Sequence, residues 1–303
     1  MNSRTLAILA ATGASTIYGV NHTIAKELMP VYIEPFGFIF LRVVGAAILF
    51  WIISFWGPKE KVATADWTRL FACAIFGMVI NMLLFFKGLS LSTPINSSVI
   101  ITVSPILVLL LAAVLIKERI TLLKTAGIII GLGGALALVL FSNPETVNAP
   151  NIPLGNLLFI GNALSYGIYL ILVKPLTTKY HPFTLMKWLF LFAVIINFPI
   201  TISEFSKVEW LELPGHAIWK MGFVIVGTTF LTYLLNIFAL KELSAATISA
   251  FIYLQPLIAI TFAVATGADS LDLVKITAAI LVFTGVYMVT RKPKSKQISN
   301  PSA

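Results

Sequence analysis

The sequence predicts an all-α polytopic membrane protein of ten transmembrane helices, arranged as two inverted-topology five-helix repeats. Three observations lead there. First, of 303 residues 58% are hydrophobic and only 11% charged, with mean hydropathy +0.96. A soluble domain carries roughly 45–50% apolar and about 25% charged residues, so a single water-facing domain and a disordered chain are both excluded. Second, the apolar residues fall into ten stretches, each near the roughly 20 residues that one bilayer crossing needs. Third, the two halves of the chain match each other at fixed offsets.

Taken in order, the stretches run 5–26, 34–56, 67–90, 94–116, 122–141, 152–174, 182–203, 217–240, 244–266 and 271–290. The first follows Arg4 and is too long for the apolar region of a cleavable leader, so it is read as a span. Met29-Pro30 separates it from the second, which closes at Gly57-Pro58-Lys59-Glu60-Lys61. Lys117-Glu118-Arg119 ends the fourth, Asn143-Pro144 follows the fifth, and Leu213-Pro214-Gly215 precedes the eighth. The connections are too short to hold an inserted soluble domain. Residues 1–142 and 151–290 therefore form two five-helix units, and 291–303 form a polar basic tail.

The net charge of +9 reports orientation rather than a nucleic-acid footprint, because the cations lie in short loops and the tail. With a cytoplasmic N-terminus, the inside regions hold Arg4, Lys59, Lys61, Arg69, Lys117, Arg119, Lys124, Lys174, Lys179, Lys187, Lys241 and Arg291, Lys292, Lys294 and Lys296. Outside positions hold only Lys26, Lys87, Lys207, Lys220 and Lys275. Both termini are therefore expected in the cytoplasm. Cys73 is the only cysteine, which excludes an internal disulfide and a thiolate metal cluster.

A shift of 151 residues places Leu89 on Leu240, Ser98 on Ser249, Ile101 on Ile252, Pro105 on Pro256, Lys124 on Lys275 and Gly134 on Gly285. A shift of 148 places Gly13 on Gly161, Tyr18-Gly19 on Tyr166-Gly167 and Lys26 on Lys174. Five spans per repeat is an odd number, so the second unit sits upside down relative to the first. Such repeats characterise secondary transporters, with the binding site near the midplane between the halves. Pro105 and Pro256 occupy matching mid-span positions, where a missing N–H bends a helix, and they are the expected hinges.

Ionisable groups within the hydrocarbon cost roughly 2.5 kcal/mol or more each and mark candidate sites. Arg42 lies eight residues into the second span; it suits a substrate carboxylate, or equally a pairing with helix-terminal carbonyls or snorkelling along its own stem. Tyr18, His22 and Lys26 form one stripe on the first helix, with Asn21 beside it. His22 suits substrate binding or a proton relay, or a structural hydrogen bond; Lys26, at the span end, can equally snorkel. Asn81, Asn96, Tyr166, Tyr169, Thr229, Tyr233, Asn236, Tyr253 and Gln255 complete an expected cavity of amides, hydroxyls and rings. All twelve carboxylates lie in loops or near span ends, so a carboxylate proton relay has no obvious residue. No P-loop and no metal or cofactor motif is present, and no mid-membrane nucleophile accompanies His22, which disfavours an intramembrane enzyme.

The motifs Tyr18-Gly19-Val20-Asn21 with Lys26, Pro35, Leu41-Arg42, Pro105, Lys117-Glu118-Arg119-Ile120, Gly127–Gly134, Pro256 and Gly285 occur in a fixed order. In this order the chain resembles the drug/metabolite transporter superfamily, specifically its EamA-type ten-helix members. Tyr18 stands where the family often has Trp. The resemblance implies a multi-pass plasma-membrane transporter with a central cavity, commonly an exporter of amino acids or other small metabolites. Facilitative uptake of a metabolite, a nucleotide-sugar-like compound or a phosphorylated anion is the alternative. The expected partners are a small-molecule substrate and the lipid bilayer, with coupling to protons and a monomeric or homodimeric state both left open.

Overall fold

A computed structural model of the chain describes residues 2–29, 31–92, 97, 100–118, 120–140, 150–265 and 273–290. Among the described residues every regular element is helical. Hydrocarbon supplies no partner for a free backbone N–H or C=O, and a helix satisfies these groups within one segment. The elements are α1 (Ser3–Leu28), α2 (Pro35–Ser54), α3 (Thr64–Leu91), α4 (Ser104–Leu115), α5 (Leu122–Leu140), α6 (Ile152–Lys179), α7 (Pro182–Phe205), α8 (Gly215–Glu242), α9 and α10 (Leu273–Thr290). α9 is an assembly of Ala245–Ala250, a 3₁₀ turn Phe251–Tyr253, and Leu254–Ala265. Five of these helices, α2, α3, α6, α7 and α8, are long and apolar enough to cross a bilayer, and Ser104–Leu115, Leu122–Ala137, Ala245–Ile258 and Ile276–Thr290 are shorter apolar helices. Of the expected fourth span, residues 94–96, 98 and 99 lie outside the described residues, as does the basic tail 291–303.

Helix starts follow local chemistry. Pro35 and Pro182 stand in the first turns of α2 and α7, where the absent N–H costs nothing. Asn151 accepts from the Leu154 N–H at 3.1 Å to cap α6. The expected mid-span prolines sit just after a break in the helix. Pro105 is in the first turn of α4, and Pro256 follows the 3₁₀ turn of α9. Lys117 adopts the left-handed conformation (φ 52°) just past α4, and the Glu118 N–H reaches back to the Ala112 carbonyl at 3.1 Å.

The helices pair in a regular way. α2 packs along α7 and α5 along α10, while α1 lies against α8 and α9, and α6 against α3 and α4. Several contacts occur twice at positions related by the two sequence shifts. Gly13 of α1 faces Leu235 of α8, and Gly161 of α6 faces Leu84 of α3. In the α5–α10 pair, a Cβ on Gly127 would stand 2.8 Å from the Gly285 carbonyl, and one on Gly134 would stand 2.7 Å from the Ala278 carbonyl. These backbones touch, as small-residue packing in a membrane requires.

Polar ties close the two ends of the bundle. At one end the Glu204 carboxylate of α7 accepts from the Phe36 and Gly37 N–H groups at 2.6 and 3.1 Å, capping α2 from outside its own helix. At the other, the Glu60 carboxylate accepts from the His181 N–H at 2.8 Å just before α7. There Asp66 receives Tyr180 Oη at 2.8 Å and Lys179 Nζ at 3.1 Å. Lys174 Nζ caps the end of α8, donating to the carbonyls of Leu240, Lys241 (3.1 Å) and Leu243 (3.0 Å).

Burial and the nearby Lys241 hold the His181 imidazole below its usual range, so Nδ1 accepts from the Phe183 N–H at 3.3 Å. The folded state therefore binds this proton less readily than the unfolded chain. The cap's stabilisation is present above the ordinary histidine value of about 6.5 and declines as the pH falls through it. We expect melting temperature, measured in detergent from pH 8 to pH 5, to show a component of its decline that His181→Asn, a non-titrating cap, removes. An unchanged decline in that variant refutes the assignment.

Candidate functional site

The centre of the bundle is organised by two widened turns. α3 changes to π geometry over Ile75–Ile80, and α8 does so over Val224–Leu231. Each lies near the middle of its helix, and the two segments correspond under the 151-residue shift. π segments are rare and concentrate at functional sites, because they redirect backbone carbonyls out of the helical ladder. In α3 three consecutive carbonyls each accept a side-chain donor from a different helix. Phe76 O takes Ser165 Oγ at 2.6 Å, Gly77 O takes Tyr233 Oη at 3.3 Å, and Met78 O takes Asn197 Nδ2 at 3.4 Å. In α8 the Val224 carbonyl takes Thr229 Oγ1 at 2.8 Å, five residues on, and Thr228 Oγ1 donates to Asn21 Oδ1 of α1 at 2.7 Å.

Arg42 of α2 sits against the widened turn of α8. It is 6% exposed, and its Nε donates to Thr229 Oγ1 at 3.0 Å. Its guanidinium carbon lies 5.9 Å from the Phe38 ring centre and 5.3 Å from that of Phe86, rings that meet edge-to-face. Such contacts are worth about 2 kcal/mol when desolvated. Tyr18, placed against Thr232, and Tyr233, whose ring meets Phe190 edge-to-face, are the nearest tyrosines to the cation. Tyr169 and Tyr166 lie next, with ring centres 6.0 Å apart. Gly77 gives the Tyr169 ring its place: a Cβ there would stand 2.5 Å from Cδ2. Among the described residues no carboxylate meets Arg42, and its two Nη groups make no hydrogen bond. Among the described residues one of the five guanidinium N–H bonds has an acceptor. The arrangement is a buried, aromatic-walled cation with its planar donor fork free.

The structure thus brings together Tyr18, Arg42, Tyr166, Tyr169, Thr229 and Tyr233, with Asn21 joined through Thr228. Asn81 is used elsewhere: its amide donates to the Asn162 carbonyl at 3.3 Å while Asn162 returns the bond at 2.8 Å, tying α3 to α6. Asn236 is half-buried, with no side-chain hydrogen bond among the described residues. Tyr253 is fully buried against Gly131 of α5, its hydroxyl without a partner, and the Gln255 carbonyl lies against Gly19 of α1. Asn96 and the side chains of His22 and Lys26 lie outside the described residues. Phe38, Phe86, Thr228, Ser165 and Asn197 were not among the expected site residues. Phe38 was legible in principle, one turn before Arg42 on the same helix face; the others join through tertiary contacts.

The sequence matches the EamA-like transporter family over residues 5–140 and 153–291. An uncharacterized transporter of Archaeoglobus fulgidus is 29% identical over 279 residues, covering 91% of this chain and 96% of that protein. The uncharacterized transporter YyaM of Bacillus subtilis is 22% identical, with 93% of each chain covered. A WAT1-related protein of Arabidopsis thaliana is 23% identical, with 90% and 82% covered. A crystal structure at 16% identity superposes with a TM-score of 0.77 over 94% of this chain and 96% of that one, which speaks for a shared fold.

Gly77→Ala should destabilise the protein by about 1–3 kcal/mol through overpacking against the Tyr169 ring. Combined with Tyr169→Val, the same change should cost less than it does alone. Thermal melts of the two single variants and the double variant measure this coupling, and strict additivity would refute the contact.

Proposed function

The chain belongs to the EamA-like transporter family, and from that premise we propose that it is a secondary transporter that exports small polar metabolites such as amino acids. The reading places ten spans in two inverted halves, residues 1–142 and 151–290, in the plasma membrane with both termini cytoplasmic. Support for the inverted halves comes from contacts that recur under the sequence shifts: Gly13 with Leu235 and Gly161 with Leu84, and the matched π segments of α3 and α8. Two halves of like structure and opposite orientation have two packings of similar energy, which is what alternating access uses.

The observation that carries the reading is the free guanidinium fork of Arg42 at the centre of the bundle. A buried cation without a carboxylate partner is costly, and an anionic group of the substrate is the complement that relieves the cost. In this scheme the substrate carboxylate binds the two Nη groups bidentately. The rings of Phe38, Phe86, Tyr18 and Tyr233 exclude water and contact the substrate's remaining surface. Thr229 links the anchor to α8: its hydroxyl accepts from Arg42 Nε and donates across the π turn to Val224. Substrate that draws Arg42 away from Thr229 loosens that turn, and the breaks at Pro105 and Pro256 supply hinges for α4 and α9.

Reconstitution in proteoliposomes, with a screen of amino acids and related anions in the presence and absence of a pH gradient, tests the proposal. It also separates proton-coupled export from facilitative movement. Absence of flux for every metabolite in folded protein overturns the reading. For a transported zwitterion or anion, Arg42→Ala should raise KM about tenfold to a hundredfold, from the 1.5–3 kcal/mol of a charged hydrogen bond. Arg42→Lys, which keeps the charge without the fork, should fall between. Wild-type kinetics in Arg42→Ala reject the anchor.

A further inference from the structure

The face of the α2–α7 pair away from the central site carries a groove of about 360 Å³ lined only by apolar side chains, among them Val44, Ala47, Ile48, Trp51, Leu191 and Val194. Ile48 is 54% and Phe55 is 77% exposed beside it, so the groove opens outward from the bundle. From Val44 to Phe55 it follows α2 for roughly 16 Å at 1.5 Å per residue, the depth of one leaflet of a hydrocarbon core about 30 Å thick. At one end stands Lys187, a half-buried cation five residues past the start of α7, within the apolar helix. Its ammonium lies 5.5 Å from the Trp51 ring centre and 5.8 Å from that of Trp188. The Trp51, Trp188 and Trp67 rings meet edge-to-face in a row, as in an interfacial aromatic belt. Among the described residues no carboxylate bonds Lys187. The exposed Lys59 and Lys61 flank Glu60, which holds their loop to His181 at the start of α7.

We propose that this groove binds an anionic phospholipid, with one acyl chain along Val44–Phe55 and the phosphate on Lys187 at the aromatic belt. Three features select this occupant: an apolar channel one leaflet deep, a fixed cation at its mouth, and further positive charge in the adjoining loop. A zwitterionic lipid matches the channel but not the charge. The site is separate from Arg42 and does not depend on transport of any substrate.

The test is native mass spectrometry of the full-length protein equilibrated in micelles with equal phosphatidylglycerol and phosphatidylcholine. One lysine near an anionic headgroup favours it by about fivefold, so the singly lipidated protein should carry phosphatidylglycerol in about that excess. Lys187→Gln should bring the ratio below about twofold, and Lys187→Arg should keep it. Ile48→Trp, which fills the exposed wall of the groove, should lower adducts of both lipids. No preference in the wild type, an undiminished preference in Lys187→Gln, or adducts indifferent to Ile48→Trp overturns the proposal. So does a dimer that Ile48→Trp dissociates with lipid adducts unchanged, since a second copy of the chain is then the occupant.

Discussion

A carbonyl that leaves the helical ladder inside hydrocarbon has no water to turn to, and the centre of this protein is built around that constraint. The π segment of α3 presents Phe76, Gly77 and Met78 carbonyls to α6, α8 and α7, which answer with Ser165, Tyr233 and Asn197. One irregular turn thereby fixes three neighbouring helices around itself. The matching turn in α8 is satisfied by its own Thr229 and positions Thr228 on Asn21. Arg42 then finds an acceptor in Thr229 at the one depth where α8 is widened. The polar centre exists because two helices are locally irregular, and side-chain donors to the Phe76, Gly77, Met78 and Val224 carbonyls support that irregularity.

The ends of the bundle obey a different economy. Water is available there, so charges gather at helix termini and complement the helix dipoles. Glu204 caps α2 from α7, while Glu60 binds next to the start of α7 from the loop after α2. The same two helices are thus clasped at both ends by carboxylates from each other's side. Between the clasps their contact is made by rings, among them Phe40 with Phe198 and Phe50 with Phe190. Among the described residues such a pair has directional bonds only at its ends.

Five of the expected spans were legible because hydrocarbon thickness imposes length and apolarity directly on sequence. The expected 34–56, 182–203 and 217–240 compare with α2 at 35–54, α7 at 182–205 and α8 at 215–242. Arg42 and the tyrosines were legible as residues too polar for their surroundings. The π segments were not, since Ile75–Ile80 and Val224–Leu231 carry no residue that demands a widened turn. Asn81 shows the complementary difficulty. An amide in a span reads alike whether it faces a ligand or a neighbouring helix, and here Asn162 claims it.

The sequence by itself determined that the chain is a multi-pass membrane protein, where charge could stand, and which positions match under the two shifts. Those properties follow from transfer free energies and residue order, which need no knowledge of neighbours. Only the tertiary structure decided which polar residues share a centre. The ring of Tyr169 reaches Gly77 across 92 positions of chain, and Arg42 reaches Thr229 across 187. Partners at such separations are chosen by helix rotation and depth, and these are set by packing rather than by any local pattern.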